Sequence, residues 1–157
     1  MGGKNMKTLV MRHLESAGIE YKIKRHSRDV YTCEDAAKER GVKIEQIVKT
    51  MIVKKPDGEL IVILIPGNKR LNTKKLAKIL GCKKVQIAPK EEVEKATGYK
   101  IGAIAPIGVK REMKIYMDKD VLKEEIVDIS SGRPDAGIEL KSEDLAKVTK
   151  AEIINID

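Results

Sequence analysis

The sequence predicts a single mixed α/β domain in which helices surround a curved sheet. Segments whose apolar residues alternate with period two predict strands, and they outnumber the segments with helical spacing. Hairpin turns occur beside helical crossovers, and no repeat of about 20 to 50 residues is present. The length of 157 residues suits one domain, since domains commonly contain about 100 to 200 residues. We therefore expect residues 1–157 to form one domain.

Helices and strands alternate in the first half of the chain. In order, the pattern predicts a helix over 4–17, a strand over 19–25, a helix after Thr32, strands over 48–54 and 60–65, and a helix over 73–80. Gly18 ends the first helix, and Thr32 is the expected N-cap of the second because acidic residues follow it in the first turn. The turn Pro56-Asp57-Gly58 joins the two apolar strands into a hairpin. Thr73 is the expected N-cap of the third helix.

The second half of the chain continues the mixed pattern. In order, it predicts a strand over 85–87, a helix over 89–98, strands over 113–118, 126–130 and 138–140, a helix over 142–148 and a strand over 153–156. Pro89 suits a first helical position, because its missing N–H would have no partner there. The polar stretch from Ser131 to Gly137 predicts a turn between two strands, and Ser142 is the expected N-cap of the last helix.

The stretch from Gly98 to Gly108 is apolar although its glycines and proline oppose regular structure. Three glycines and Pro106 in this segment rule out a helix interior and disfavour a central strand. Gly102 allows another group to approach the backbone closely, and Pro106 fixes φ. We interpret the stretch as a rigid pocket wall that presents main-chain groups to a ligand. A buried strand flanked by turns explains the same residues equally well.

Positive charge is concentrated in the first half of the chain. The formal net charge is +8, with 18 Lys and Arg against 9 Asp and Glu in residues 1–80, and 14 against 15 in residues 81–157. This bias favours a polyanionic partner such as a nucleic-acid backbone, although a solvated surface would have the same composition. The densest cluster, in which we expect contacts with a phosphate backbone or else a solvated helix face, comprises Lys69, Arg70, Lys74, Lys75 and Lys78.

Composition also excludes several classes of protein. With no Phe, no Trp and four Tyr, an aromatic platform for stacking bases is not expected. Cys33 and Cys82 form no CxxC pair, so we expect neither a metal site nor a disulfide, and a cytoplasmic location. The apolar run from Leu60 to Pro66 is too short to span a bilayer, and no signal peptide is expected at the N-terminus.

Two polar residues occupy positions that suit a binding site. Lys49 begins an apolar strand and shares a face with Met51 and Val53, so its ammonium either extends to the rim of the sheet or reaches an anion in a site. Tyr31 precedes a helix cap, where its ring either packs beneath the helix or points into a cleft. The residues alone leave both pairs of alternatives open.

Three motifs occur in the order of a known family. They are the run from Lys49 to Val53, the stretch from Thr97 to Pro106, and the turn from Ser130 to Gly132 before Ile138-Glu139-Leu140. On these motifs the chain, from about Thr8 to Asp157, resembles the YbaK/prolyl-tRNA-synthetase-associated domain family, the free-standing relatives of the editing domain of bacterial prolyl-tRNA synthetases. The resemblance implies a barrel-like YbaK-type fold.

The resemblance also implies an activity: metal-independent, cofactor-free hydrolysis of the ester of a mischarged tRNA, removing Cys, Ala or Pro according to subfamily. The implied partners are the acceptor end of tRNA, often tRNA for proline, and a prolyl-tRNA synthetase. Lys49, Gly102 and Pro106 are the implied catalytic positions, with loop amides and the Lys49 ammonium stabilising negative charge. The implied substrate-binding residues are Tyr31, Thr50, Ala103, Ile104, Ala105, Ser130, Ser131, Gly132 and Asp135.

One position departs from the family pattern. Bacterial Cys-tRNA deacylases of the family often carry Asp directly before the Ile-Glu-Leu strand, where this chain has Gly137. Whether Asp135 substitutes for that carboxylate is open, and so is Cys specificity. Two other classes of function fit the same residues: a non-catalytic module that binds a nucleotide or the tRNA 3′ end for a synthetase, and a small-molecule esterase.

Overall fold

The computed structural model describes residues 7–157 and confirms the mixed α/β class. The described chain contains five α-helices: α1 (Leu9–Ser16), α2 (Cys33–Arg40), α3 (Thr73–Leu80), α4 (Lys90–Thr97) and α5 (Ser142–Thr149). Its eight strands are β1 (Lys22–Arg25), β2 (Val48–Lys54), β3 (Leu60–Pro66), β4 (Gln86–Ile87), β5 (Lys114–Asp118), β6 (Ile126–Arg133), β7 (Ala136–Lys141) and β8 (Glu152–Ile154). Short 3₁₀ turns cover Ile44–Gln46 and Lys119–Lys123.

The strands form two sheets that do not close into a barrel. One sheet has the order β4-β2-β3-β5-β8, and the other has the order β1-β7-β6. The predicted hairpin is present as the antiparallel pair β2 and β3, whereas β5 lies parallel to β3 and β8 parallel to β5. A parallel bridge between Ile47 and Asp128 connects the start of β2 with β6. The two sheets therefore meet at the N-terminal end of β2.

Strand β3 is the centre of the larger sheet and is buried at every residue. Successive side chains of a strand point to opposite faces, and on β3 they enter two separate cores. Val62 and Leu64 pack in a core with α1, β6 and β7, while Ile61 and Ile63 pack in a second core with α3. This two-sided burial explains why β3 is an uninterrupted apolar run rather than an alternating one.

Several predicted boundaries were wrong by a few residues. The first helix begins at Leu9 after the N-cap Thr8, and residues 4–6 of its predicted range lie outside the described chain. The first strand begins only at Lys22. Asn72 caps α3 in place of the expected Thr73. Ser142 is the first residue of α5 rather than its cap, because its hydroxyl instead donates to the carbonyl oxygen of Glu124 at 2.6 Å.

The predicted turn between Ser131 and Gly137 is much shorter than expected. Strand β6 continues to Arg133, β7 begins at Ala136, and only two residues form the turn. A register shift between Ser130 and Arg133 accommodates the extra residues. Such a bulge keeps polar residues within a strand, which a pattern of alternation does not predict.

The segment from residue 98 to 108 is an irregular loop that follows α4, so a buried strand there is excluded. Some of its apolar residues are nevertheless buried: Ala105 and Ile107 belong to the same core as Val62 and Leu64 of β3, whereas Ile101 is exposed. Among the described helices, none is long and apolar enough to cross a membrane.

Candidate active site

A cavity of about 370 Å³ lies beside this loop, near the place where the two sheets meet. Helix α2 and the residues before it contribute Tyr31, Cys33 and Arg40, and the loop contributes Gly102 and Ile104. Strand β2 contributes Lys49 and Thr50, and β6 contributes Ser130. Elements from four parts of the chain thus converge on one hollow of the size that small-molecule sites have, about 300 to 1,000 Å³.

Lys49 is half-buried in the wall of this cavity. It is the second residue of β2 and pairs with Ile65 of β3, so the sheet holds its backbone. Its ammonium donates to the carbonyl oxygen of Lys69 at 3.0 Å. Because a neutral carbonyl leaves the positive charge uncompensated, this lysine is available to an anion or an oxyanion in the cavity.

Tyr31 and Gly102 both line the cavity and are in contact with each other. Gly102 has φ +92°, and a Cβ built on it would lie 2.7 Å from Cδ1 of Tyr31. The Tyr31 ring is 58% exposed, and its hydroxyl is 3.5 Å from a carboxylate oxygen of Asp29. Glycine is therefore required at position 102 for both the backbone conformation and the space. The tyrosine stands at the cavity mouth rather than beneath the helix.

The remaining loop residues turn away from the cavity. Ala103, Ala105 and Pro106 are buried and do not line it, which corrects the expectation that the whole run from Gly102 to Pro106 faces the substrate. The Ala103 amide donates to Lys100 O at 2.9 Å and is used within the loop. For the amides of Gly102 and Ile104, residues 7–157 provide no acceptor. Of the loop residues that line the cavity, Gly102 and Ile104 therefore have amides without an acceptor in the described chain, whereas the Ile101 amide donates to Glu94.

Of the three predicted residues on β6, only Ser130 lines the cavity. The Ser131 side chain is fully buried and donates to Ala136 O at 2.6 Å, so it stabilises the bulge. Gly132 has φ +93°, and a Cβ there would lie 2.7 Å from the Tyr99 ring. The Tyr99 hydroxyl donates to Ile107 O at 2.6 Å within the loop. Because Gly132 has no side chain, the Tyr99 ring packs against β6 at this position and holds the loop to that strand.

Asp135 is not a cavity residue, contrary to prediction. Its carboxylate makes a bidentate ion pair with Arg133, both distances being 2.9 Å, and it lines a separate depression near α1. The space beside Gly137 is occupied by the Arg40 side chain, because a Cβ on Gly137 would lie 2.5 Å from Nε of Arg40. A guanidinium therefore occupies the space in which a larger residue at 137 would have placed its side chain.

Arg40 lines the cavity and pairs with Asp128, which does not line it, and the sequence reasoning singled out neither residue. The Arg40 Nη1 donates to Oδ1 of Asp128 at 2.7 Å, and both side chains are buried. Burial raises the pKa of Asp128 to about 6, although the nearby guanidinium opposes this shift. A carboxylate between Val127 and Ile129 in an apolar strand was the available signal, because a buried charge requires a partner. No signal pointed to Arg40.

Two further polar groups line the cavity. The Thr50 hydroxyl oxygen is buried and has no hydrogen-bond partner among the described residues. Burial raises the pKa of the Cys33 thiol, although Lys49 and Arg40 favour the thiolate. Cys33 is therefore a protonated wall residue rather than an activated nucleophile. The described part of the chain contains no cluster of His, Cys, Asp or Glu that could hold a metal ion.

The predicted basic cluster divides into two parts. The Lys69 ammonium contacts Asp118 at 2.6 Å, Asp120 at 3.0 Å and also Asp157, and these carboxylates raise its pKa against the effect of burial. Its charge is thus compensated within the fold. Lys75 donates to Asp157 O at 2.7 Å. The remaining residues, Arg70, Lys74 and Lys78, are exposed on and beside α3.

Comparison with known proteins gave a family match. The profile of the aminoacyl-tRNA editing domain family matches residues 27–148, which is most of the chain. A protein of Enterococcus faecalis, EbsC, named as a candidate Cys-tRNA(Pro)/Cys-tRNA(Cys) deacylase, is 32% identical over 152 residues, covering 96% of this chain and 93% of EbsC. Proline–tRNA ligase of Thermosipho melanesiensis is 38% identical over 96 residues, covering 61% of this chain but 17% of the ligase.

Solved structures agree in fold. A crystal structure of a candidate trans-editing enzyme for prolyl tRNA synthetase superposes with a TM-score of 0.85 at 28% identity, covering 94% of each chain. A crystal structure of a hypothetical protein superposes with a TM-score of 0.86 at 28% identity, covering 92% of this chain and 96% of the other.

Proposed function

The chain belongs to the aminoacyl-tRNA editing domain family, and we propose that it is a trans-acting deacylase that hydrolyses the ester of a mischarged tRNA. The proposed substrate is tRNA for proline that carries Cys or Ala, and the proposed location is the cytoplasm. The observation that supports this most is the cavity itself, which Lys49, Gly102 and Ile104 line together and in which the amides of Gly102 and Ile104 have no acceptor among the described residues.

The proposed chemistry needs neither a metal nor a protein nucleophile. An aminoacyl ester is already activated, so water can attack its carbonyl carbon once ester and water are held in place. The bond between that carbon and the ribose oxygen then breaks, one proton of the water passes to the ribose oxygen and the other to solvent, and the amino acid leaves as a carboxylate. The negative charge that develops on the carbonyl oxygen is the group to be stabilised.

The free amides and the Lys49 ammonium can stabilise the negative charge on the carbonyl oxygen in different ways. The amides of Gly102 and Ile104 flank the buried residue Ala103, whose own amide is bonded within the loop, so we expect their dipoles to need little reorganisation during reaction. The Lys49 ammonium lies near the loop that begins with Pro66, and it can bind either the oxyanion or the terminal phosphate of the tRNA. The tRNA backbone would then follow the exposed cations Arg70, Lys74 and Lys78.

The cavity volume also supports a role in discrimination by size. A space of about 370 Å³ accommodates a small aminoacyl group with part of the terminal ribose. A synthetase rejects an amino acid that lacks one methylene by only about 1 to 3 kcal/mol, so a second site that admits small side chains improves accuracy. Ala and Cys meet this criterion better than a longer side chain does.

A deacylation panel tests the proposal. We expect the protein to hydrolyse at least one of Ala-, Cys-, Ser- and Pro-charged tRNA in single-turnover assays. Lys49→Ala should slow that hydrolysis by about 100-fold, the typical effect of removing one oxyanion donor. The matched control is Lys54→Ala on the same strand, since the Lys54 ammonium pairs with Glu92 at 2.9 Å and does not line the cavity. An unchanged rate in Lys49→Ala would remove Lys49 from the mechanism.

The panel also separates the two rival functions. Tight binding of uncharged tRNA with no hydrolysis of any charged tRNA would identify a non-catalytic binding module. Hydrolysis of small free esters, with substrate binding that hardly weakens as salt increases, would identify a small-molecule esterase, because contacts with tRNA phosphates release counterions.

A further inference from the structure

Arg40 is held in a fixed orientation at the wall of the cavity. It is the last residue of α2, and its side chain is 6% exposed. Its Nη1 donates to Oδ1 of Asp128 at 2.7 Å, and its Nε donates to Nε2 of His26 at 3.3 Å. Two partners on different elements therefore fix the plane of the guanidinium.

Gly137 on β7 provides the space for this orientation. A Cβ at this position would lie 2.5 Å from Nε and 2.6 Å from Cζ of Arg40. The φ angle of Gly137 is not in the left-handed region, so its backbone conformation does not require glycine. The absence of a side chain at 137 thus serves the approach of the Arg40 guanidinium to Asp128.

The ion pair leaves part of the guanidinium unused. An arginine that only neutralises a carboxylate commonly donates two parallel N–H bonds to its two oxygens. Here only Oδ1 of Asp128 is bonded, and its Oδ2 has no partner among residues 7–157. Within the same residues, the Arg40 Nη2 group has no acceptor either. Because Arg40 lines the cavity, its free N–H groups are available to a ligand there.

Charge in the cavity favours an oxygen acceptor as that ligand. Lys49 and Arg40 both line the hollow, and both act electrostatically on the Cys33 thiol, which lies in the same wall. Two cations near one another repel the α-ammonium of an aminoacyl group and attract its ester carbonyl oxygen. Of the two, Arg40 is more deeply buried, whereas Lys49 extends toward the loop at Lys69.

We propose that Arg40 is a second cationic substrate-binding residue, whose free guanidinium N–H groups donate to the ester carbonyl oxygen of the aminoacyl group. This inference rests on the proposed deacylase function. Asp128 and His26 are positioning residues, since they act through Arg40, and Gly137 provides its space.

The test compares Arg40 variants on the charged tRNA that the wild type hydrolyses fastest. Arg40→Gln should lower the single-turnover rate constant by about 100-fold, because one donor to the oxyanion is removed. The substrate concentration at half-maximal rate should change much less, since most tRNA contacts remain. Gly137→Ala should also lower the single-turnover rate constant, because the added methyl group displaces the Arg40 guanidinium without removing its charge. Lys38→Gln on an exposed face of α2 is the matched control and should leave the rate unchanged.

Loss of folding is controlled separately. Arg40→Gln leaves Asp128 buried without its cation, so the double variant Arg40→Gln/Asp128→Asn is measured as well, with circular dichroism to confirm folding. A folded double variant with a wild-type rate would overturn the inference and make the pair purely structural. A folded double variant with the rate of Arg40→Gln would support it.

Failure of the proposed function gives a different result. If the wild type hydrolyses none of the four charged tRNAs, an adenosine that carries alanine through a stable amide bond is used as the binding probe. Weaker binding of this probe by Arg40→Gln than by Lys38→Gln would support the contact with the aminoacyl carbonyl. Equal binding by the two variants would overturn it.

Discussion

Asp128 is fully buried between two apolar residues of β6, and burial and the neighbouring Arg40 shift its pKa in opposite directions. Burial, the larger effect, raises its pKa to about 6 from the ordinary 3.8, and the Arg40 guanidinium favours the ionised form. One carboxylate oxygen has no partner among the described residues. The folded protein therefore binds a proton at Asp128 more tightly than the unfolded chain does.

This difference predicts a pH dependence of stability. Below pH 3.8, Asp128 is protonated in both the folded and the unfolded state, and its contribution to the free energy of unfolding is fully present. This contribution is lost as the pH rises through about 6. The pKa difference of about two corresponds to up to about 3 kcal/mol. We expect the free energy of unfolding of the wild type to fall by up to this amount, relative to Asp128→Asn, between about pH 4 and pH 6.5.

Urea denaturation of both proteins across this pH range measures the effect. Asp128→Asn keeps a similar shape and hydrogen-bonding capacity but cannot titrate, so subtraction removes the contributions of all other groups. Identical pH profiles for the two proteins would show that the Arg40 pair cancels the effect of burial on the pKa of Asp128 and would contradict the prediction.

At the scale of elements, helix α3 illustrates how a local pattern misplaces a boundary. Both Asn72 and Thr73 are good capping residues, and the sequence reasoning chose Thr73. The structure shows that the Asn72 side-chain oxygen accepts from the Lys75 amide at 3.1 Å. The choice matters because α3 buries Leu76 against the second core and presents Lys74 and Lys78 to solvent.

Capping substitutions distinguish the two residues. Asn72→Ala should lower the free energy of unfolding by about 1 kcal/mol, because the Lys75 amide loses its acceptor. Thr73→Ala is the matched control and should change stability by less than about 0.5 kcal/mol, as is usual away from such features. The midpoints of urea unfolding provide the measurement. A greater loss in Thr73→Ala than in Asn72→Ala would contradict the capping geometry.

Sequence reasoning predicted elements better than it predicted the site, and the difference has a physical cause. Strand β2, helix α2 and the loop after α4 are encoded by period, caps and glycines within a few adjacent residues. Lys49 and Tyr31, which the sequence and the family resemblance singled out, both line the cavity, and their roles stay predictions. Arg40 and Asp128 are separated by 88 positions, and only folding brings them into contact.

The buried loop residues that do not line the cavity are a second example of contacts that sequence spacing does not predict. The run from Gly102 to Pro106 is irregular, which is one of the two structures that the sequence left open, and the Tyr99 ring that packs on Gly132 connects its loop to β6. A glycine on β6 and a tyrosine after α4 meet through the fold, not through sequence spacing. Ala103, Ala105 and Pro106 were consequently assigned to the wrong side.

At the scale of the whole molecule, the net charge of +8 is distributed so that one face remains available to a polyanion. Three carboxylates compensate Lys69, whereas the exposed residues Arg70, Lys74 and Lys78 have no acidic partner in the part of the chain that the structure describes. Lys49 links this surface to the cavity through its bond to Lys69 O. A tRNA whose terminus enters the cavity would therefore place phosphates beside α3.

The salt dependence of tRNA binding tests this placement. Removing one lysine or arginine that binds a phosphate should make the plot of log K against log salt shallower by about 0.9. The triple variant Arg70→Ala/Lys74→Ala/Lys78→Ala should therefore reduce the slope by up to about 3, measured with uncharged tRNA for proline between about 50 and 200 mM salt. The control Lys22→Ala/Lys141→Ala/Lys147→Ala removes the same charge from β1, β7 and α5, where the residues are also exposed. Its slope should stay near the wild-type value, because counterion release requires that the cation bind a phosphate. Equal slopes for the two triple variants would show that overall charge, rather than binding of the tRNA backbone at α3, governs the interaction.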